Sequence, residues 1–263
     1  MQASARTSTA ARSWTKQLLF GIPVDAVRLS EVIDLADEAI RERRRLLIST
    51  VNAAKIVAMG RDVSLRSAVL RGDLILADGM SVVWAARLLD GPLPERVAGI
   101  DVMFALLRLA AERRYRVYLF GATPSVLSAA EDNVGIDHQG VEVVGSHHGY
   151  YAPGDESRIA DEIREGRPDI LFVANSSPAK EKFLAQFVDR MNVPVCLGVG
   201  GAFDVLGGKL KRAPEVWQRL GLEWAYRLAQ EPVRLWRRYL DTNLSFAWLT
   251  VNEYVESRRR GRS

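Results

Sequence analysis

The sequence predicts a mainly parallel α/β sheet with helices on both faces, followed by a helical C-terminal appendage. Three observations predict it. Short apolar runs such as Leu74-Ile75-Leu76-Ala77 and Ile170-Leu171-Phe172-Val173 alternate with helix-length amphipathic stretches, the pattern of a parallel sheet buried on both sides. From about Gly207 onward the strand signal stops and only helical periodicity remains. The same stretch, 207–263, holds 12 Lys/Arg against 6 Asp/Glu, so the whole excess of the chain's net charge of +4 lies there.

Met1 to Lys16 is rich in Ser, Thr, Ala and Arg, with no apolar core of signal-peptide length, and is expected to be a disordered leader. Leu18 to Val27 reads as a short strand with a Gly-Ile-Pro turn. Ser30 is placed to cap a helix running to about Arg44, whose apolar face is Val32, Ile33, Leu35, Ala36 and Ile40. Leu46 to Thr50 is the first buried strand. Helices follow at Ala53–Met59 and Val63–Arg71, then the strand Leu74–Ala77 and helices Met80–Leu89 and Gly99–Arg113. Val117–Phe120 is a strand with a helix from Pro124 to about Asn133, and Val141–Val144 is a strand with a helix at Glu156–Glu165. Ile170–Val173, a helix from Pro178 to Met191, and the strand Val195–Gly198 complete the core. The order is Rossmann-like. This divides the chain into a leader (1–16), a core (17–206) and a basic, Trp-rich, membrane-associating appendage (207–263).

Composition narrows the class. Hydrophobic content of 48% and charged content of 26% are ordinary for a folded soluble protein. The single cysteine, Cys196, lies in an apolar run, so an intrachain disulfide or cysteine-rich zinc site is excluded and a cytoplasmic setting is expected. No apolar run approaches the ~18 residues needed to span a bilayer. Four of the six tryptophans, Trp217, Trp224, Trp236 and Trp248, share the basic appendage, which suits an anionic membrane surface rather than nucleic acid.

In such sheets ligands bind at the carboxyl ends of the strands. The residues there are Thr50 and Asn52, Asp78 and Gly79, Gly121 to Thr123, Gly145 to His148, Asn175 to Ser177, and Gly198 to Gly201. Asp78 is either a general base or a helix N-cap. Gly121-Ala122-Thr123-Pro124 is either a phosphate cradle at a helix start or a plain turn, and Gly200 sits in a similar glycine-rich turn. Arg96 is a solvated loop arginine or an anion clamp, and Asp101 a structural partner near a helix start. His147 and His148 read as a loop pair. Arg227, Arg234 and Arg237 fall at i, i+7 and i+10, one face of any single helix built there. The chain has no G-x-S-x-G, no P-loop and no Asp-x-Asp, so no metal site or cofactor is expected.

Taken together, Gly21-Ile22-Pro23-Val24-Asp25, Thr50-Val51-Asn52-Ala53, Ala77-Asp78-Gly79, Arg96-Val97-Ala98-Gly99-Ile100-Asp101, Phe120-Gly121, Gly198-Val199-Gly200-Gly201-Ala202-Phe203-Asp204, Arg212-Ala213-Pro214 and Gly221-Leu222-Glu223-Trp224 resemble, in order and spacing, the WecG/TagA/CpsF glycosyltransferases (glycosyltransferase family 26). The resemblance runs to about Tyr239. It implies inverting, metal-independent transfer from a UDP-sugar to a polyprenyl-diphosphate-linked sugar in cell-surface polysaccharide synthesis, by a cytoplasmic enzyme resting on the membrane. It also implies that Asp78 is the base, that Thr50, Asn52 and Arg96 line the pocket, and that Arg227, Arg234 and Arg237 close over the diphosphate; from their place after the strands, Gly121, Ala122, Thr123 and Gly200 are taken as nucleotide-binding. A homo-oligomer is compatible with it.

One departure stands out. Where the family pattern reads Gly-x-Pro-Lys-Gln-Glu, this chain has Ser176-Ser177-Pro178-Ala179-Lys180-Glu181, so Lys180 replaces a neutral Gln. Lys180 and Glu181 are taken as substrate-binding. Lys180 has three openings: to pair with Glu181, with a donor phosphate, or with a carboxylate on a uronic-acid sugar. The rival readings are a nucleotide-dependent oxidoreductase, which lacks its glycine fingerprint, and a non-catalytic membrane scaffold of a polysaccharide assembly complex, favoured only by the Gln-to-Lys change.

Overall fold

A computed structural model describes residues 14–214, 216–217, 221–230 and 232–260, with the side chains of residues 227, 234, 235, 237–240 and 260 outside the described set. The chain opens with a two-stranded antiparallel hairpin, β1 (Lys16–Leu19) and β2 (Ile22–Asp25), and not with one strand. Phe20 (φ 53) and Gly21 (φ 67) both take left-handed conformations, the two-residue turn that suits a right-twisted hairpin. Lys16, assigned from composition to the leader, therefore begins the folded part. It pairs with the buried Asp25 at 3.3 Å, and Trp14 Nε1 donates to Asp25 at 2.6 Å. Asp25 also accepts from the Ile75 amide at 2.7 Å, fastening the hairpin to the main sheet.

That sheet has six parallel strands: β3 (Leu46–Val51), β4 (Leu74–Ala77), β5 (Arg116–Gly121), β6 (Glu142–His147), β7 (Ile170–Ala174) and β8 (Val195–Gly198). Their spatial order is β4-β3-β8-β7-β5-β6, and all five pairings are parallel. Strand alternation divides the core in two. Ile48, Leu76, Leu119, Phe172 and Leu197 face α1 (Leu29–Arg41), α5 (Gly99–Arg113), α6 (Pro124–Asp137) and α9 (Ala202–Leu206). Leu47, Phe120, Leu171 and Cys196 face α7 (Glu156–Gly166) and α8 (Ala179–Met191). Val51, Ile75 and Ala77, on that second face, meet α2 (Ala53–Met59), α3 (Val63–Leu70) and α4 (Met80–Leu88). The Rossmann-like expectation holds.

Two local expectations change. The first helix starts at Leu29, and Ser30 lies inside it; the Glu31 carboxylate, not the Ser30 hydroxyl, takes the free Arg28 amide at 2.7 Å. Strand β6 runs on to His147, so Gly145 and His147 are ladder residues rather than loop, with His147 Nδ1 2.7 Å from the His148 carbonyl oxygen.

After α9 the chain is helical, in α10 (Glu223–Gln230) and α11 (Pro232–Arg260). Helix α11 packs on α2, burying Phe246 with its ring 5.4 Å from Phe20. Pro232 opens α11, a position where its missing amide hydrogen costs nothing. Arg227 is thus on a different helix from Arg234 and Arg237, and the single-helix face assumed for the three does not exist.

Candidate functional site

The helices that follow neighbouring strands often leave on opposite sides. Beyond β3 the chain goes to α2 on one face, and beyond β8 it goes to α9 on the other. A crevice opens at such a switch, at the carboxyl ends of the strands. Asp78 follows β4 at this edge. Its amide donates to the Val51 carbonyl at 2.8 Å, which fixes the backbone. The cap of α4 is Gly79, whose positive φ of 151 (ψ 140) is open to glycine, and no side chain caps that helix. The capping role open to Asp78 is therefore not the one it has. Its half-buried carboxyl makes no hydrogen bond or ion pair among the described residues. Burial pushes its pKa above the ordinary aspartate value, against the pull of the Lys55 and Arg96 cations; Glu223 and Asp101 push it further up.

Thr50 and Asn52 both serve to place Lys55. Asn52 caps α2 by accepting from the Lys55 amide at 3.0 Å, and the Lys55 ammonium donates to the Thr50 carbonyl at 2.7 Å. The start of α5 at Gly99 lies beside the end of β3, with the Thr50 methyl in ordinary contact distance of it. Lys55 also reaches Glu181 at 2.8 Å, and Glu181 takes Lys180 at 2.9 Å on the same oxygen. This three-residue cluster borders a small cavity lined by Thr50, Leu184 and Gly198 as well. Of the openings for Lys180, pairing with Glu181 is the contact present.

A second cluster lies on the other flank. Arg96 pairs with Asp101 at 2.9 Å and with Glu223 at 2.6 Å, and Arg212 also pairs with Asp101. Arg96 is therefore no solvated loop arginine, and Asp101 is the structural partner the sequence suggested. Glu223 lies in the first turn of α10, so this cluster joins the appendage to the core.

Gly121, Ala122 and Thr123 are not brought to Asp78. Four strand spacings separate β4 from β5, roughly 19 Å. A Cβ on Gly121 would lie 2.7 Å from Ala174 and Asn175, Ala122 accepts from the Gly149 amide at 2.8 Å, and Thr123 caps α6. Gly200 (φ 53) lies nearer, beside Lys180. The side chains of Arg227, Arg234 and Arg237 lie outside the described residues. Among the described residues no three His, Cys, Asp or Glu side chains converge as metal ligands.

Sequence reasoning missed Lys55, Glu223 and Arg212 as site residues. Lys55 had a signal: a lone lysine in the first turn of the otherwise apolar Ala53–Met59. Glu223 and Arg212 lay inside the motifs quoted above, yet nothing local showed that they meet Arg96 and Asp101.

Residues 17–260 match the glycosyl transferase WecG/TagA/CpsF family. The chain is 34% identical over 218 residues to the N-acetylglucosaminyldiphosphoundecaprenol N-acetyl-beta-D-mannosaminyltransferase of Bacillus spizizenii (strain W23), spanning 83% of this chain and 84% of that protein. It is 34% identical over 226 residues to the protein of the same name in Bacillus subtilis (strain 168), spanning 86% and 87%. The motifs at the ends of β3, β4 and β8 and the appendage tied to them through Arg96 are those of one enzyme lineage, and the chain belongs to the WecG/TagA/CpsF family of glycosyl transferases.

Proposed function

We propose that the chain transfers a sugar from a UDP-sugar to a polyprenyl-diphosphate-linked sugar, with inversion, during assembly of a cell-surface polysaccharide. The observation that carries this reading is Asp78: an unpaired carboxyl at a strand end, in a crevice, flanked by cations, in a chain of this family. The acceptor hydroxyl loses its proton to Asp78 as its oxygen bonds to the anomeric carbon, while the bond from that carbon to the UDP β-phosphate oxygen breaks and UDP leaves with the electron pair. Burial raises the Asp78 pKa, which makes it a stronger base, and the Lys55 and Arg96 cations oppose that rise.

Thr50, Asn52, Arg96 and the Gly200 turn border the place where the sugar and its diphosphate would lie. Gly121, Ala122 and Thr123, four strands away, suit the nucleoside end of an extended donor. Arg227, Arg234 and Arg237 are proposed to meet the acceptor diphosphate. The appendage is proposed to rest on an anionic membrane: Trp248 is 64% and Trp236 49% exposed, and no helix among the described residues is long and apolar enough to cross a bilayer.

The test is UDP release with a panel of UDP-sugars and a short-chain polyprenyl-diphosphate-sugar acceptor. Asp78→Asn should cut turnover ~10²–10⁴-fold while UDP still binds and the fold is kept. Near-normal turnover by this variant removes Asp78 from the mechanism. An NAD-binding, UDP-indifferent protein would favour the oxidoreductase reading instead.

A further inference from the structure

Glu181 is shared by two lysines at the carboxyl end of the sheet. Its Oε1 lies 2.8 Å from Lys55 Nζ and 2.9 Å from Lys180 Nζ. The exposures of Lys55, Lys180 and Glu181 are only 9%, 7% and 7%. Lys55 donates to the Thr50 carbonyl at 2.7 Å and to Thr50 Oγ1 at 3.4 Å, and forms its ion pair with Glu181. Among the described residues Glu181 is the one carboxylate that pairs directly with Lys180, and Lys180 lines the small cavity beside it.

Charge counting sharpens the point. Lys55 and Glu181 alone make a balanced buried pair. Lys180 adds an unbalanced cation, and desolvating an ammonium is costly. A purely structural pairing gains nothing from it, and the pattern this chain resembles has a neutral Gln at the position. The turn after β8 lies against the lysine: a Cβ on Gly198 would be 3.2 Å from Lys180 Cδ, and one on Gly200 3.8 Å from Nζ. Lys180 also senses the Asp78 charge, which places it near the reacting end of the crevice.

We propose that Lys180 is a donor-recognition residue that meets an anionic oxygen of the nucleotide-sugar beside the Gly198–Gly201 turn. This deepens, and rests on, the nucleotide-sugar reading given above. The oxygen belongs either to a carboxylate on the transferred sugar or to the diphosphate that leaves. Burial first, then the neighbouring Lys55, lower the Lys180 pKa to about 8 against the opposing pull of Glu181 and Asp78. These are the charged groups that face it, from α8 itself, from α2 and from the end of β4. The cation, and the recognition it provides, is lost as pH rises through that value.

The experiment is calorimetric binding of three probes, UDP, a UDP-N-acetylhexosamine and the matching UDP-N-acetylhexosaminuronic acid, to the parent and to Lys180→Gln at pH 7 and pH 9. Lys180→Gln leaves the balanced Lys55–Glu181 pair, and a melting curve checks that it folds. At pH 7 the variant is expected to lose roughly 10–100-fold in affinity, the worth of a hydrogen bond to a charged group. The parent, and not the variant, should weaken between pH 7 and pH 9. A loss confined to the uronic-acid donor identifies the sugar carboxylate, and an equal loss for all three probes identifies the diphosphate. Unchanged affinity of the variant for every probe overturns the assignment of Lys180. A parent that binds none of the three overturns the nucleotide-sugar reading, and this one with it.

Discussion

Replacing Glu181 by Gln is the sharpest structural perturbation the site offers, because it removes the carboxylate that pairs directly with both buried lysines. The amide keeps the shape and loses the charge. Lys55 and Lys180, both within 3 Å of the same oxygen, are then left as like charges out of water. Breaking a buried pair in this way costs ~3–5 kcal/mol. For a chain of this size each kcal/mol moves the melting temperature by about 2–4 °C, so Glu181→Gln should melt on the order of 10 °C below the parent at pH 7. Lys180→Gln should melt no lower than the parent at pH 7, since it leaves a balanced pair and removes a buried cation whose charged form costs stability.

The pH dependence gives an independent check on the same residue. Burial favours the neutral form of Glu181, but Lys55 and Lys180 together outweigh it and hold the carboxyl at about 2. A carboxyl depressed in the folded state contributes stability that is fully present above its unfolded pKa of about 4.5. That contribution is lost as pH falls through about 2. The melting gap between parent and Glu181→Gln should therefore narrow from pH 5 to pH 2. For Lys180 the folded value of about 8 is also depressed, so its charged form costs stability that is recovered as pH rises from about 8 toward 10.5. Melting by circular dichroism across this range is the assay. A Glu181→Gln protein within 2 °C of the parent at pH 7, or a gap that does not change in acid, would refute the reasoning.

Three other outcomes are expected. The acid limb of kcat/KM should lie above the ordinary aspartate pKa, and Lys55→Met, which removes the cation that most lowers the Asp78 pKa, should move that limb further up; a limb that stays put separates Lys55 from the base. Transfer should persist in excess EDTA, since the sequence has no Asp-x-Asp and no His/Cys cluster; activity lost in EDTA and restored by manganese or magnesium would contradict this. Charge reversal of Arg234 and Arg237 should weaken liposome binding in a salt-dependent way and cut transfer to lipid-linked acceptor, leaving UDP binding nearly intact; parent-like binding and transfer would make the appendage purely structural.

What was legible in the sequence is what local forces decide. Leu74–Ala77 and Gly99–Arg113 came out with the expected bounds because four buried apolar residues and a long amphipathic run leave no competing choice. Asp78 was legible because a polar residue directly after a buried strand is at the sheet's carboxyl end by geometry alone. The hairpin was missed because its turn depends on Phe20 holding a left-handed conformation, which no propensity suggests for phenylalanine. The break at Pro232 was written in the sequence, and the face count for Arg227, Arg234 and Arg237 passed over it. The ion clusters were not legible in any window. Lys55 and Glu181 are 126 positions apart, and Arg96 and Glu223 are 127 apart, so only the sheet order brings them together.

The two clusters differ in a way that bears on the chemistry between them. Arg96, Arg212, Asp101 and Glu223 carry two charges of each sign and hold the appendage to the core without a net field. Lys55, Lys180 and Glu181 carry one positive charge in excess. The Asp78 carboxyl lies within electrostatic reach of both lysines, so it offsets that excess whenever it is ionised. In the proposed reaction Asp78 takes a proton from the acceptor, and the cluster's excess positive charge is then left without that offset. A site of low dielectric with a fixed cation favours negative charge developing next to it, and needs no reorganisation to do so. Proton transfer to Asp78 and the stabilisation of an anionic donor oxygen are then linked through the same buried lysine. Of the two clusters, the unbalanced one is the one whose surroundings the proposed protonation of Asp78 would change.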